Sequence, residues 1–343
     1  MNTPGYPLAI AARRRPAPKP HRPATMLRLR RSRPPPASGD PVRRPQAATA
    51  AHAFHSHSNP SVMIQNLVIQ SVAPLSDAHH KPLLALARGA RVVQVDEHAL
   101  RIEGADPAQR PDIDVYCGTH ALDFAFVDAG RTLRDFGLVV MDMDSTLITI
   151  ECIDEIADFC GLKAEVAAIT EASMRGEIRD FDESLTRRVA LLAGLDAQAL
   201  ERVYDERLRL SPGAETMLAG AKAAGLKTLL VSGGFTFFTE RLKTRLGLDF
   251  AHANTLEIVD GKLTGKVIGE IVNADVKARM LRDTCASLGI APSRAIAMGD
   301  GSNDLKMMAE AGLSVAFRAK PIVRSAATVA FDHVGLDGLL RLF

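Results

Sequence analysis

Apolar and polar positions are unevenly organised along the 343-residue chain. Residues 1–62 carry no apolar period: Ala9-Ile10 and Leu27 are isolated points among prolines and arginines. From residue 64 the pattern becomes regular. Residues 64–72 read as a strand, 81–86 as a short helix, and 90–95 and 99–102 as two strands around Asp96-Glu97-His98. Together they predict a small α+β module over 63–117. Residues 118–136 read as a helix leading into Val139-Val140-Met141, a short buried strand. Beyond it, Ile153, Ile156, Ala157, Phe159, Cys160, Val166 and Ile169 fall at helical spacing over 153–170, and further helices are expected at 182–193 and 197–208. This stretch, 151–210, is too long for a simple crossover and reads as an inserted helical domain. Ser211-Pro212-Gly213 then opens a helix through Ala224. Strands at 226–231, 294–298, 313–317 and 328–331 alternate with helices at 235–246, 274–288 and 305–311. Residues 254–259 and 262–267 flank Asp260-Gly261, which suits a tight primed hairpin turn. The alternation predicts an α/β fold: a doubly wound, mostly parallel sheet built from 118–150 and 211–343, with a helical cap inserted after its first strand.

Composition separates the N-terminal stretch from the rest. Residues 1–62 hold twelve of the nineteen prolines, with ten Arg, one Lys and one Asp. Such a segment builds no core and is expected to be disordered. It lacks a signal-peptide core and is too proline-broken for an amphipathic transit helix. Organised sequence starts right after Met63, which reads as the natural start. The stretch carries a formal +10 against +2 for the whole chain, which leaves −8 for residues 63–343. An acidic working part argues against nucleic acid as the partner. No run approaches the roughly eighteen apolar residues of a membrane span. Cys117, Cys152, Cys160 and Cys285 match neither a zinc pattern nor a disulfide framework, so a reducing cytoplasm is expected, with Cys152 and Cys160 as buried thiols. His79-His80 reads as polar surface.

Three strand ends carry acidic, hydroxyl or small residues: Asp142 and Asp144; Ser232-Gly233-Gly234; and Asp300 and Asp304. The C-terminal ends of parallel strands are the ligand side of such a sheet. Capping of the following helices explains any one of these aspartates but explains the set poorly. Carboxylates converging at one edge repel one another without a cation, and a hard, oxygen-liganded ion such as Mg²⁺ resolves this. Ser232 with the amides after it suits a phosphate, and Lys277 is the candidate cationic partner. Neither a P-loop nor a dinucleotide fingerprint is present, which removes support for nucleotide hydrolysis and hydride transfer.

Asp142-Met143-Asp144-Ser145-Thr146 resembles the first motif of the haloacid dehalogenase-like phosphatases. Val231-Ser232-Gly233-Gly234-Phe235 resembles their second motif as phosphoserine phosphatases carry it, and Lys277 and Gly299-Asp300-Gly301-Ser302-Asn303-Asp304 resemble the third and fourth. The likeness covers roughly residues 138–320 and extends into the insertion through Glu151, Met174, Phe181 and Arg188. It implies Mg²⁺-dependent hydrolysis of O-phospho-L-serine, the last step of serine biosynthesis, by a cytoplasmic enzyme. Asp142 would be the nucleophile, forming an aspartyl-phosphate, and Asp144 the general acid and then base. Mg²⁺ would be held by Asp142, Asp300 and the Asp144 carbonyl, with Asp304 in support and Asn303 orienting the site. Ser232, Gly233 and Lys277 would hold the phosphoryl group. Glu151 would meet the substrate ammonium, Arg188 its carboxylate, and Met174 and Phe181 would line the cap wall. The spacing from Met174 to Phe181 is one residue longer than in some relatives. The alternative within the same chemistry is a phosphatase or phosphotransferase for phosphothreonine or homoserine phosphate. A non-catalytic polyanion-binding role for the basic tail leaves the acidic strand ends unexplained.

Overall fold

The computed structural model describes residues 64–175 and 177–343, without the side chain of Met174. The expected disorder of 1–62 and the start at Met63 lie outside the described residues. The described residues all fall in one compact unit.

The chain first builds a four-stranded antiparallel sheet, β1 Gln65–Gln70, β2 Arg91–Asp96, β3 Ala99–Ala105 and β4 Asp123–Asp128, in the order β2-β3-β1-β4. Helices α1 His80–Leu86 and α2 Arg110–Thr119 accompany it. Leu67, Ile69, Leu100 and Ile102 share a core with Leu83, Ile113 and Cys117 from those helices, and Val68, Ala125 and Val127 join the main core.

β4 corrects the helix expected over 118–136. Helix α2 stops at Thr119, Ala121 takes a left-handed turn (φ 53°), and Asp123–Asp128 then pairs along its whole length with β1. Phe124, Phe126 and Val127 are strand-favouring residues, and a long-range partner exists for them.

The main sheet has seven strands: β5 Leu138–Met141, β6 Lys227–Phe235, β7 Phe250–Val259, β8 Lys262–Ile268, β9 Ala295–Gly299, β10 Leu313–Phe317 and β11 Val329–Phe331. Their order is β11-β10-β9-β5-β6-β7-β8, parallel except for the β7–β8 hairpin. Asp260 and Gly261 both have positive φ, as a primed turn requires. β5, with every residue buried, lies at the centre.

Between β5 and β6 lies the cap: α3 Cys152–Phe159, α4 Lys163–Met174, α5 Phe181–Ala190 and α6 Gln198–Arg202. The single helix expected over 153–170 is two, because Gly161 (φ 71°) ends α3 in the left-handed conformation that glycine adopts without strain. The helix expected over 197–208 is short, α6 passing into a wider turn at Val203–Arg207. Helices α7 Ala214–Ala223, α8 Thr236–Leu246, α9 Ala274–Ser287, α10 Leu305–Glu310, α11 Pro321–Ala326 and α12 Gly338–Arg341 complete the core. Among the described residues no helix is long and apolar enough to cross a membrane. Cys152 is fully buried, whereas Cys160 is only half-buried.

Candidate active site

The two central neighbours of β5, β6 and β9, bring their C-terminal ends beside Asp142. The backbone after β5 is a wide turn: the Leu147 amide donates to the Asp142 carbonyl (3.3 Å) and the Ile148 amide to the Met143 carbonyl (3.0 Å). Ser145 inside it has φ 55°. This turn sends the Asp142 and Asp144 side chains to different partners.

Asp142 Oδ1 accepts the Met143 amide at 2.8 Å and lies 2.7 Å from Lys277 Nζ. The same ammonium lies 2.7 Å from Asp304 Oδ1, and it is fully buried. Asp304 Oδ2 accepts the Gly301 amide at 3.1 Å. Thr146 Oγ1 donates to Asp300 Oδ1 at 3.3 Å. Asp144 faces elsewhere: Oδ1 accepts the Cys152 amide at 2.9 Å, and Oδ2 accepts the Ser232 hydroxyl at 3.3 Å. Ser232 Oγ in turn accepts the Gly234 amide at 2.8 Å.

The strand expected over 226–231 runs on through Ser232-Gly233-Gly234 to Phe235, with a bulged end where the register breaks between Ser232↔Ala253 and Phe235↔Asn254. Gly234 has no room for a Cβ, which would meet Asp144, Met143 Cε at 2.8 Å and Ser232 Oγ at 3.0 Å. The Gly233 carbonyl is held by Asn254 Nδ2 at 2.7 Å, and Asn254 Oδ1 accepts the Val272 amide at 2.8 Å.

Burial and crowding set the protonation of these groups. Burial, reinforced by the Asp304 charge, pushes the Asp142 carboxyl well above the ordinary carboxylate range, against the pull of Lys277. Burial lowers the Lys277 ammonium, but Asp142 and Asp304 outweigh it and the net shift is upward. Asp144 is raised by burial, opposed by its bond from Cys152. Burial and Asp304 push Asp300 up to about 6. One ammonium among three acids thus leaves negative charge in excess. Asp142, Asp300 and Asp304 each offer a carboxylate oxygen, all within 4.8 Å of one another. That all-oxygen, hard donor set fits a divalent cation of the Mg²⁺ type.

The cap closes the other side of a cavity of about 470 Å³. Glu151, the residue before α3, lines it and accepts the Ser145 hydroxyl at 2.8 Å. Its carboxyl is pushed up to about 8, first by lost hydration and then by the Asp144 charge. Phe181 and Arg188, from α5, line the same cavity, as does Asn303. A Cβ on Gly233 would stand 3.0 Å from Phe181 Cζ, so the ring lies directly over the glycine. Met174 ends α4, and its side chain lies outside the described structure. Three larger clefts, of about 660, 650 and 490 Å³, lie away from this acid set.

Three contributors escaped the sequence reading: the Cys152 amide, Asn254 and Thr146. The first acts through its backbone and the second from another strand, so no side-chain motif marks them. Thr146 stood in the first motif, adjacent to the pair it supports.

Comparison with known proteins bears on the same residues. A model described as haloacid dehalogenase-like hydrolase matches residues 139–309, and one for a domain of unknown function matches 67–113. A phosphoserine phosphatase of Polaromonas sp. is 59% identical over 214 residues, covering 61% of this chain and 91% of the relative. The chain belongs to the phosphoserine phosphatases of the haloacid dehalogenase-like hydrolases. The solved structure of a probable phosphoserine phosphatase from Vibrio cholerae, 38% identical, superposes with a TM-score of 0.70 over 81% of this chain and 86% of its own. A phosphoserine phosphatase solved as a phospho-aspartyl intermediate analogue, 39% identical, gives 0.57 over 60% and 98%. As a member of the phosphoserine phosphatases, the chain is a Mg²⁺-dependent hydrolase of a small phosphomonoester, with the fold expected from its sequence.

Proposed function

We propose that the substrate is O-phospho-L-serine, and that Asp142 and Asp144 divide the chemistry between them. The observation that carries the division is the separation of their partners: Asp142 beside the Lys277 ammonium, and Asp144 against a neutral amide and a hydroxyl. An Asp142 oxygen attacks phosphorus as the bond from phosphorus to the serine oxygen breaks. Asp144, whose carboxyl burial raises above its ordinary value, acts as the acid and gives its proton to that leaving oxygen. Now a carboxylate, Asp144 takes a proton from water as the water oxygen attacks phosphorus, releasing phosphate and restoring Asp142.

Ser232, the Gly233 amide and Lys277 hold the transferring phosphoryl group. Mg²⁺ would be held by Asp142, Asp300 and the Asp144 carbonyl, and supplies charge neutralisation to the phosphoryl oxygens. Asp304 supports by fixing Lys277. In the cap, Arg188 receives the substrate carboxylate and Glu151 its ammonium, with Phe181 as part of the wall. A substrate ammonium also relieves the raised Glu151 carboxyl.

The test is phosphate release from O-phospho-L-serine with Mg²⁺, set beside D-phosphoserine and phosphothreonine. The L-serine ester is expected to be turned over fastest; a preference for phosphothreonine would overturn the substrate assignment. Asp142→Asn is expected to abolish both turnover and labelling by phosphate, and normal turnover in that variant would remove it as nucleophile.

A further inference from the structure

Within the same cavity one carboxylate is used by no step above. Asp154 stands in the first turn of α3, three residues after Glu151, and lines the cavity together with Arg188. An acid in a first helical turn is ordinarily a solvated partner of the helix dipole. Asp154 is different: its Oδ1 is buried and accepts no hydrogen bond among the described residues. A buried carboxylate oxygen without a donor is costly, so it marks a place where a partner arrives.

Arg188 is in the complementary condition. It is half-buried on α5 and makes no ion pair among the described residues. Its Nε reaches the Ser184 carbonyl at 3.4 Å, a weak bond. Burial lowers its pKa, and Asp154 is the strongest of the acids that hold it up, ahead of Glu151 and Asp144. Reciprocally, burial raises Asp154, and Arg188 is the largest charge opposing that rise. Two opposite charges, neither in an ion pair among the described residues, thus line the same cavity from two different cap helices.

We propose that Asp154 is a positioning residue for Arg188: as substrate enters, its unpartnered carboxylate draws in the guanidinium and orients it so that a fork of N–H groups meets the carboxylate of the substrate. This rests on the phosphoserine reading above. A planar guanidinium binds a carboxylate through two parallel bonds best when its plane is fixed, and a second acid brought against it supplies that constraint. When substrate enters, Arg188 lies between two carboxylates, and the buried Asp154 oxygen gains its donor.

The experiment uses the full chain with Mg²⁺ and two substrates, O-phospho-L-serine and O-phosphoethanolamine, which lacks the carboxylate. Wild type is expected to prefer phosphoserine; absence of that preference defeats the phosphoserine reading itself, before any variant is compared. Asp154→Asn is expected to raise KM for phosphoserine by about tenfold or more with kcat little altered, and to cost much less on phosphoethanolamine. Asp154→Glu is expected to recover part of the loss, which a merely structural role would not give, and it serves if the asparagine variant folds poorly. With Arg188→Ala as background, Asp154→Asn is expected to add little further loss. Equal losses on both substrates, or fully additive losses in the double variant, would overturn the proposal. A larger loss on phosphoethanolamine would also overturn it, since Asp154 would then be meeting the ammonium directly.

Discussion

Lys277 holds apart two buried carboxylates that would otherwise face each other, each 2.7 Å from its ammonium. Lys277→Met should therefore do more than remove a phosphate contact. Leaving buried acids without their counter-charge costs about 3–5 kcal/mol. In wild type the lysine pKa is raised, so its stabilisation is complete below its ordinary value and is lost only as pH rises through the folded value. In the variant the Asp142 carboxyl, already raised by burial, takes up a proton more readily in the folded state, so the deficit should be smaller at pH 5 than at pH 7.5. Urea unfolding with EDTA at both pH values checks this; a pH-independent deficit would contradict it. Asp300, pushed up to about 6, gives a second expectation. A raised acid stabilises the metal-free fold below its unfolded pKa, and that contribution is lost as pH rises through about 6. Mg²⁺ requires the ionised form, so the rise in Tm on replacing EDTA with Mg²⁺ should be larger at pH 7.5 than at pH 5. Equal shifts would count against Asp300 as a ligand. At this scale the sequence was informative where chemistry sits at a strand end, as at Asp142, Asp144 and Asp300. It was silent on Asp154, since a first-turn acid looks the same whether it faces water or a cavity.

At the scale of elements, the bulged end of β6 depends on small residues and on one asparagine. Gly234→Ala would force its methyl group against Asp144, Met143 and Ser232. Overpacking of this kind costs about 1–3 kcal/mol, and here it displaces Asp144, the residue proposed to transfer the proton, as well. The expected result is a stable-enough protein with kcat reduced by more than the stability loss explains, measured by circular dichroism melts beside phosphate release; wild-type kcat would argue against the tight contact. Cap contacts near this region include Phe181 over Gly233, and Asn273 Nδ2 on Asp182 Oδ1 at 3.1 Å, from the residue that caps α9. Most elements were legible from periodicity because their apolar faces are formed locally. Residues 118–136 were not, because β4 is a strand through its pairing with β1, more than fifty positions away. The break at Gly161 was open to reading from the glycine alone, but continuous apolar spacing on both sides hid it.

For the whole molecule, the N-terminal sheet is fastened to the catalytic core by polar contacts, buried at Gln70 and Val334 and more open at Arg341. The Asp123 carboxylate accepts the amides of Asp332, His333 and Val334 at 3.0, 2.9 and 2.8 Å. Gln70 Nε2 donates to the Gly338 carbonyl at 3.0 Å, and Arg101 Nη2 to the Phe343 carbonyl at 2.9 Å. Arg341 pairs with Asp96 at 2.7 Å. Asp123→Ala strips three amides of their acceptor, and unsatisfied buried groups of this kind cost about 1–3 kcal/mol each, with partial relief from water. A fall in Tm with KM for substrate unchanged is expected; an altered KM would mean that the seam communicates with the cavity.

That seam also settles how the protein comes apart. Modules joined by mobile linkers melt separately, whereas Val68, Ala125 and Val127 of the small sheet sit in the same apolar core as Val139, Met298 and Phe331. Losing either part strips the other of packing and of hydrogen-bond partners at once. The two sheets therefore behave as one cooperative folding unit: heating should give a single calorimetric transition whose measured enthalpy equals its van't Hoff enthalpy, and amides of β1 and β5 should exchange with solvent through the same global opening.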